Sequence, residues 1–175
     1  MKFTELKLKG AYIIEMETHM DERGTFARQF CKEELKKYGI NFEICQCNIS
    51  RNYKKGTIRG LHYHKEPCLE QKIISCLRGL FFDVIVDLRK DSPTYLKWQS
   101  IELKEDDNKM LYIPENFAHG FQTLKDNTVI YYQLSNYFVP DCYAGLRWDD
   151  PKIDICWPDN KNIIINDRDK NYELL

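Results

Sequence analysis

The sequence predicts an all-β chain folded as a sandwich, a jelly roll or a barrel. Three observations carry this prediction. One stretch alone, Lys32 to Tyr38, reads as a short helix, with Gly39 placed to stop it. Nearly everything after that stretch divides into short segments of β-branched and aromatic residues at roughly ten-residue spacing. Turn chemistry separates them: a tight turn at Arg78-Gly79, a break at Ser92-Pro93, and a polar hairpin tip at Glu105-Asp106-Asp107-Asn108.

Taken in order, the predicted strands are Thr57–Tyr63, Lys72–Leu77, Phe81–Leu88, Trp98–Leu103, Lys109–Ile113, Gly120–Leu124 and Thr128–Leu134. The third is the most informative. Alternation puts Phe82, Val84, Val86 and Leu88 on one face and Phe81, Asp83, Ile85 and Asp87 on the other. A half-apolar face with two aspartates reads either as a solvent face or as a barrel lumen in which Asp83 reaches a site.

No linker, repeat or low-complexity stretch divides the 175 residues, which suit one domain with a sizeable core. Lys and Arg number 26 against 27 Asp and Glu, and no basic block stands out. Nucleic acid is therefore not an expected partner. The longest apolar run, Leu80 to Leu88, is cut by Asp83 and Asp87 and is too short for a bilayer, so no membrane partner is expected either. Residues 1–10 alternate charged and apolar side chains without a signal-peptide core. The seven cysteines are scattered and form no CxxC pair, and read as unpaired thiols they fit a reducing cytoplasm.

Three of the four histidines lie in two places: His62 and His64 in Arg59-Gly60-Leu61-His62-Tyr63-His64, and His119 in Ile113-Pro114-Glu115-Asn116-Phe117-Ala118-His119-Gly120-Phe121. On a strand His62 and His64 share a face. One reading is a metal site of the kind found in metal-binding cupins, where His-x-His, a Glu a few residues on and a later His clasp one ion. The usual spacing places that Glu at Cys68 or Leu69, and both Glu66 and Glu70 miss it. No metal and no other cofactor is expected.

The second reading takes the whole chain. In order stand Asp21-Glu22-Arg23-Gly24, Ile58-Arg59-Gly60-Leu61-His62-Tyr63, Gln71-Lys72, Asp83-Val84-Ile85-Val86-Asp87-Leu88-Arg89 and Asp91-Ser92-Pro93-Thr94. They are followed by Ile113-Pro114, Phe117-Ala118-His119-Gly120-Phe121, Trp148-Asp149-Asp150-Pro151 and Trp157-Pro158. From about residue 12 to about residue 170 this closely resembles the dTDP-4-dehydrorhamnose 3,5-epimerase family. The resemblance implies a cupin-like jelly-roll barrel, a metal-free site, and a homodimer that exchanges N-terminal strands. It also implies a nucleotide-diphosphate-linked 4-keto-6-deoxy sugar as substrate, inverted at C3 and C5.

The family's chemistry makes sense of the residues. Removing a hydrogen beside a ketone needs a base and a stabiliser for the enolate. By resemblance His62 is the base, Asp169 in Asp167-Arg168-Asp169 orients it, Lys72 faces the C4 oxygen, and Tyr132 delivers a proton to the opposite face. His119 and Asp83 match site-lining positions. Arg59 and Arg23 match anion-binding arginines, with Gln46 and Asn48 as hydrogen-bonding partners and Phe26 against the base. Read singly, Lys72, Tyr132 and Asp169 are equally a surface lysine, a β-former and part of a charged tail. Two departures stand out: His64 where many relatives have Gln, and Arg28 where many have Glu. Arginine offers donors only, so Arg28 would suit the acceptors of guanine or a phosphate. Alternatives are thus inversion at C3 alone, a GDP-linked heptose as substrate, a metal-dependent cupin enzyme, or a sugar-binding jelly roll without catalysis.

Overall fold

The computed structural model describes residues 1–175. Its elements are β1 (Lys2–Glu5), β2 (Tyr12–Glu15), β3 (Thr18–Asp21), β4 (Gly24–Ala27), α1 (Lys32–Lys36), β5 (Gln46–Asn52), β6 (Ile58–His64) and β7 (Lys72–Arg78). There follow β8 (Leu80–Asp87), β9 (Trp98–Lys104), β10 (Lys109–Ile113), β11 (Phe117–Thr123), β12 (Thr128–Leu134), β13 (Tyr143–Gly145) and α2 (Asp167–Lys170). Two antiparallel sheets make a cupin-like jelly roll. One has the order β1-β2-β10-β7-β12-β5 and the other β13-β6-β11-β8-β9, while β3 and β4 form a separate hairpin.

Both sheets are covered on both faces. Between them pack Ile74, Leu111 and Ile130 from the six-stranded sheet against Phe81, Ile85, Leu103, Phe117 and Phe121 from the five-stranded one. The outer face of the six-stranded sheet, through Ile14, Ile73 and Met110, is closed by Leu35 of α1 with Ile40 and Phe42. The outer face of the five-stranded sheet, through Ile58, Val84 and Val86, is closed by Leu146, Ile153 and Trp157 of the C-terminal segment. Apolar burial on this scale, about 25 cal/mol per Å², is what holds two sheets and their covers together.

Strand β8 decides between the two readings of its aspartates. Asp83 and Asp87 are both fully buried, so neither lies on a solvent face. Asp83 pairs with His119 across β11. Asp87 closes the strand end: it accepts from Arg89 Nε at 2.8 Å and from the Ser92 and Thr94 hydroxyls at 2.6 Å each, and so pins the Ser92-Pro93 turn. That network holds its carboxyl well below the usual range even though burial opposes it.

Two expectations are corrected. The polar segment at residues 105–108 is no hairpin tip: β9 lies in the five-stranded sheet and β10 in the six-stranded one, so it carries the chain from sheet to sheet. Asp106 and Asn108 supply the positive φ that the crossing requires. The cysteines are not all unpaired either. Cys68 and Cys142 form a disulfide with Cα atoms 6.0 Å apart, leaving five free thiols. The loop after β6 brings them together, because the Lys65 N–H donates to the Cys142 carbonyl at 2.8 Å.

Candidate active site

A cavity of about 330 Å³ opens between the sheets at one end of the jelly roll. The five-stranded sheet contributes Arg59, His62 and His64 from β6 and His119 from β11. The six-stranded sheet contributes Gln46 and Asn48 from β5, Lys72 from β7 and Tyr132 from β12. Ser50, Glu70, Tyr143 and Arg168 complete the polar lining.

Strict alternation would send Arg59 and His62 to opposite faces of β6. A bulge prevents this. Pairing with β11 shifts register between His119↔His62 and Phe121↔Arg59, so Gly60 and Leu61 together oppose Gly120. The extra residue resets the phase and turns Arg59 toward the same cavity as His62 and His64. Gly60 has φ +124°, and a Cβ there would lie 2.5 Å from the Gly120 Cα. Only glycine fits both the conformation and the approach.

Asp169 serves the bulge and the histidine together. It is fully buried, and its Oδ1 lies 2.9 Å from His62 Nε2 while Oδ2 accepts the Gly60 N–H at 3.1 Å. Short α2 holds it there: the Asn166 side chain caps the helix by accepting the Asp169 N–H at 2.7 Å. Asp167, its neighbour in sequence, is not the partner of His62. With Nε2–H donated to the carboxylate, the basic nitrogen of His62 is Nδ1. Burial lowers the His62 pKa, with Asp169 opposing, so the imidazole is neutral at neutral pH. Burial also works to raise the Asp169 pKa, but His62, the Gly60 amide and Arg168 together hold it below the usual range.

Each cavity histidine has its own carboxylate. His62 pairs with Asp169, His64 Nδ1 lies 3.2 Å from Glu70 Oε1, and His119 pairs with Asp83. No group of three or more His, Cys, Asp or Glu side chains is arranged to hold a metal ion. Tyr132 is half-buried, and its pKa is pushed well up by desolvation and by the Asp83 charge, so the phenol keeps its proton.

The structure therefore gathers His62, Lys72, Tyr132, Gln46, Asn48, Arg59, His64 and His119 around one cavity, with Asp169 and Asp83 directly behind it. Arg23, Phe26 and Arg28 lie elsewhere. Arg23 and Phe26 belong to the β3–β4 hairpin, whose own concavity of about 460 Å³ shares no residue with the cavity. Phe26 is 76% exposed and Met20 81%, so the hairpin presents apolar side chains to solvent. Arg28 donates to Glu34 Oε1 at 2.9 Å. Sequence reasoning missed Glu70, Tyr143 and Arg168. Asn166 ahead of Asp167-Arg168-Asp169 is an N-cap signal that would have pointed to α2.

Residues 5–175 match the family described as dTDP-4-dehydrorhamnose 3,5-epimerase. The enzyme of that name from Methanothermobacter thermautotrophicus is 38% identical over 176 residues, spanning 99% of this chain and 94% of the relative. The crystal structure of the Bacillus anthracis enzyme with TDP and PPi bound superposes with a TM-score of 0.95 at 37% identity, covering 99% of both chains. The Legionella pneumophila dTDP-6-deoxy-D-glucose-3,5-epimerase, in complex with dTDP-4-keto-L-rhamnose, gives 0.92 at 32% identity over 99% of this chain and 92% of that one. Sequence and fold thus agree, and the chain belongs to the dTDP-4-dehydrorhamnose 3,5-epimerase family.

Proposed function

We propose that the chain inverts C3 and C5 of dTDP-4-dehydro-6-deoxyglucose to give dTDP-4-dehydrorhamnose, acting as one domain without a cofactor. One observation carries this reading: a neutral, carboxylate-backed His62 on one sheet and a protonated Tyr132 on the other project into the same cavity. At each carbon His62 Nδ1 takes the proton beside the ketone, and the electron pair moves to the C4 oxygen. The Lys72 ammonium stabilises that enolate, a role worth about 3 kcal/mol for a single donor. Tyr132 returns a proton from the far wall and inverts the centre. No electrons leave the substrate, so no redox partner enters the balance.

Arg59, with Gln46 and Asn48, suits the diphosphate. The TDP found with the Bacillus relative and the dTDP-sugar found with the Legionella one favour a thymidine-linked substrate over a guanosine-linked one. Arg23 and Phe26 reach a cavity only if the β3–β4 hairpin of one copy enters the site of a second, and their exposure supports a strand-exchanged homodimer. The free thiols fit the cytoplasm, whereas the Cys68–Cys142 pair argues for oxidation there, and thiol counting on protein alkylated in fresh extract separates the two.

The decisive experiment incubates the enzyme with a panel of nucleotide-linked 4-keto sugars in heavy water and reads deuterium at each carbon by NMR. Label at C3 and C5 of the thymidine-linked hexose is expected. Absence of label from every sugar would reject the epimerase reading.

A further inference from the structure

Glu70 stands in the cavity without a part in the mechanism above. It is the sole carboxylate among the lining residues and is 8% exposed. One oxygen, Oε1, meets both Lys72 Nζ and His64 Nδ1. His64 is equally buried, with 4% of its side chain exposed, and its Nε2 has no hydrogen-bond partner. A buried unpaired ring nitrogen destabilises the fold unless something meets it.

We infer that Glu70 is a positioning residue of this site: its carboxylate keeps Lys72 an ammonium and fixes His64 as the Nδ1–H tautomer. The cavity then presents a cation and, beside it, a bare Nε2 that accepts a hydrogen bond from a hydroxyl of the bound sugar. The inference rests on the epimerase reading.

The charges around Lys72 make the carboxylate necessary. Arg59 and His62 from β6, His119 from β11, Tyr132 from β12, Tyr143 from β13 and Arg168 from α2 share the cavity, and His64 stands on the other side of Glu70. None of these supplies a negative charge: the histidines are neutral or cationic, the arginines are cationic, and burial holds both phenols protonated. Burial pushes the Lys72 ammonium down from the ordinary lysine value. The adjoining anion acts in the opposite direction. On His64, burial and the Lys72 charge both favour the neutral ring, which donates Nδ1–H to Glu70 and turns its lone pair outward.

The test is the pH profile of solvent deuterium exchange in the unmodified protein and in Glu70→Gln, an isosteric change. Because the ammonium is the active form, rate is lost as pH rises through the Lys72 pKa. The unmodified limb is expected at higher pH than the Glu70→Gln limb, because only the unmodified protein sets an anion against the ammonium. Glu70→Asp, which keeps the charge, restores the higher limb. Superimposable limbs for the unmodified protein and Glu70→Gln overturn the inference. A protein that exchanges no sugar proton at all overturns the epimerase reading instead. Independently of turnover, ¹⁵N NMR is expected to show the Lys72 amine titrating at higher pH than in Glu70→Gln, and His64 of the unmodified protein as the Nδ1–H tautomer. The Nε2–H tautomer in the unmodified protein overturns it whether or not the variant folds.

Discussion

Asp169→Asn is the sharpest perturbation of the dyad, because the two oxygens of the carboxylate have different jobs. Oδ1 accepts from His62 Nε2–H at 2.9 Å and Oδ2 accepts the Gly60 N–H at 3.1 Å. Asparagine has one acceptor and one donor group. With its amide toward Gly60 it sets two donors face to face. With its amide toward His62 it forces the Nδ1–H tautomer and removes the base. A hydrogen bond to a charged group is worth about 1.5–3 kcal/mol, or roughly 10- to 150-fold in rate. The tautomer penalty adds to this, so exchange at C3 should fall by about two orders of magnitude or more. The carboxylate also raises the His62 pKa against its burial. With His62 as the neutral base of the proposed mechanism, rate is lost as pH falls through its pKa, and the acid limb of residual activity should move to lower pH. The assay is deuterium exchange into the dTDP-linked 4-keto hexose from pH 5 to 9, with dTDP binding by calorimetry as the fold control. A folded variant within threefold of the unmodified rate, or an acid limb moved to higher pH, would refute the dyad.

Tyr132→Phe should lose inversion while deuterium still enters at C3, through His62 returning a solvent-derived proton to the original face; full inversion rejects Tyr132 as the acid. Prolonged dialysis against EDTA should leave the rate unchanged, since each cavity histidine is committed to its own carboxylate; activity lost to chelation and restored by one ion would reject the cofactor-free mechanism. Gly60→Ala adds a Cβ at 2.5 Å from the Gly120 Cα on a residue with φ +124°, and about 2–6 kcal/mol of strain and overpacking is expected. At roughly 2–4 °C per kcal/mol the melting temperature should drop by about 5–20 °C, and an unchanged value by differential scanning calorimetry would contradict the tight β6–β11 approach.

The strands legible in the sequence are those whose alternation is set by burial. Lys109–Ile113 and Thr128–Leu134 fall on β10 and β12 to the residue, and the predicted third strand differs from β8 by one residue at each end. β5 escaped because Gln-Cys-Asn-Ile-Ser-Arg-Asn carries little β propensity. It is an edge strand held by pairing along β12, a tertiary cause that no local pattern records. The short pairs β1–β2 and β3–β4 escaped for a similar reason, being four residues each and mostly exposed or half-buried. That His62, Tyr132 and Arg59 share one cavity was legible through the family resemblance. Alternation alone does not place Arg59 there, because a period of two gives the wrong face until the Gly60 bulge is known. Glu70 was tested only as a metal ligand and set aside on spacing; its partners, two residues on and across the loop, appear only once that loop is folded.

The reach of Asp169 back to β6 also sets a timetable for the nascent chain. His62 and Asp169 stand 107 residues apart, which at about 5–20 residues per second is roughly 5–20 s of translation. During that interval β6 leaves the ribosome with the Gly60 amide unpaired and an imidazole free to take either tautomer. A chain cut before residue 169 keeps every strand of the two main sheets, yet leaves the Gly60 amide without its acceptor and His62 without its carboxylate.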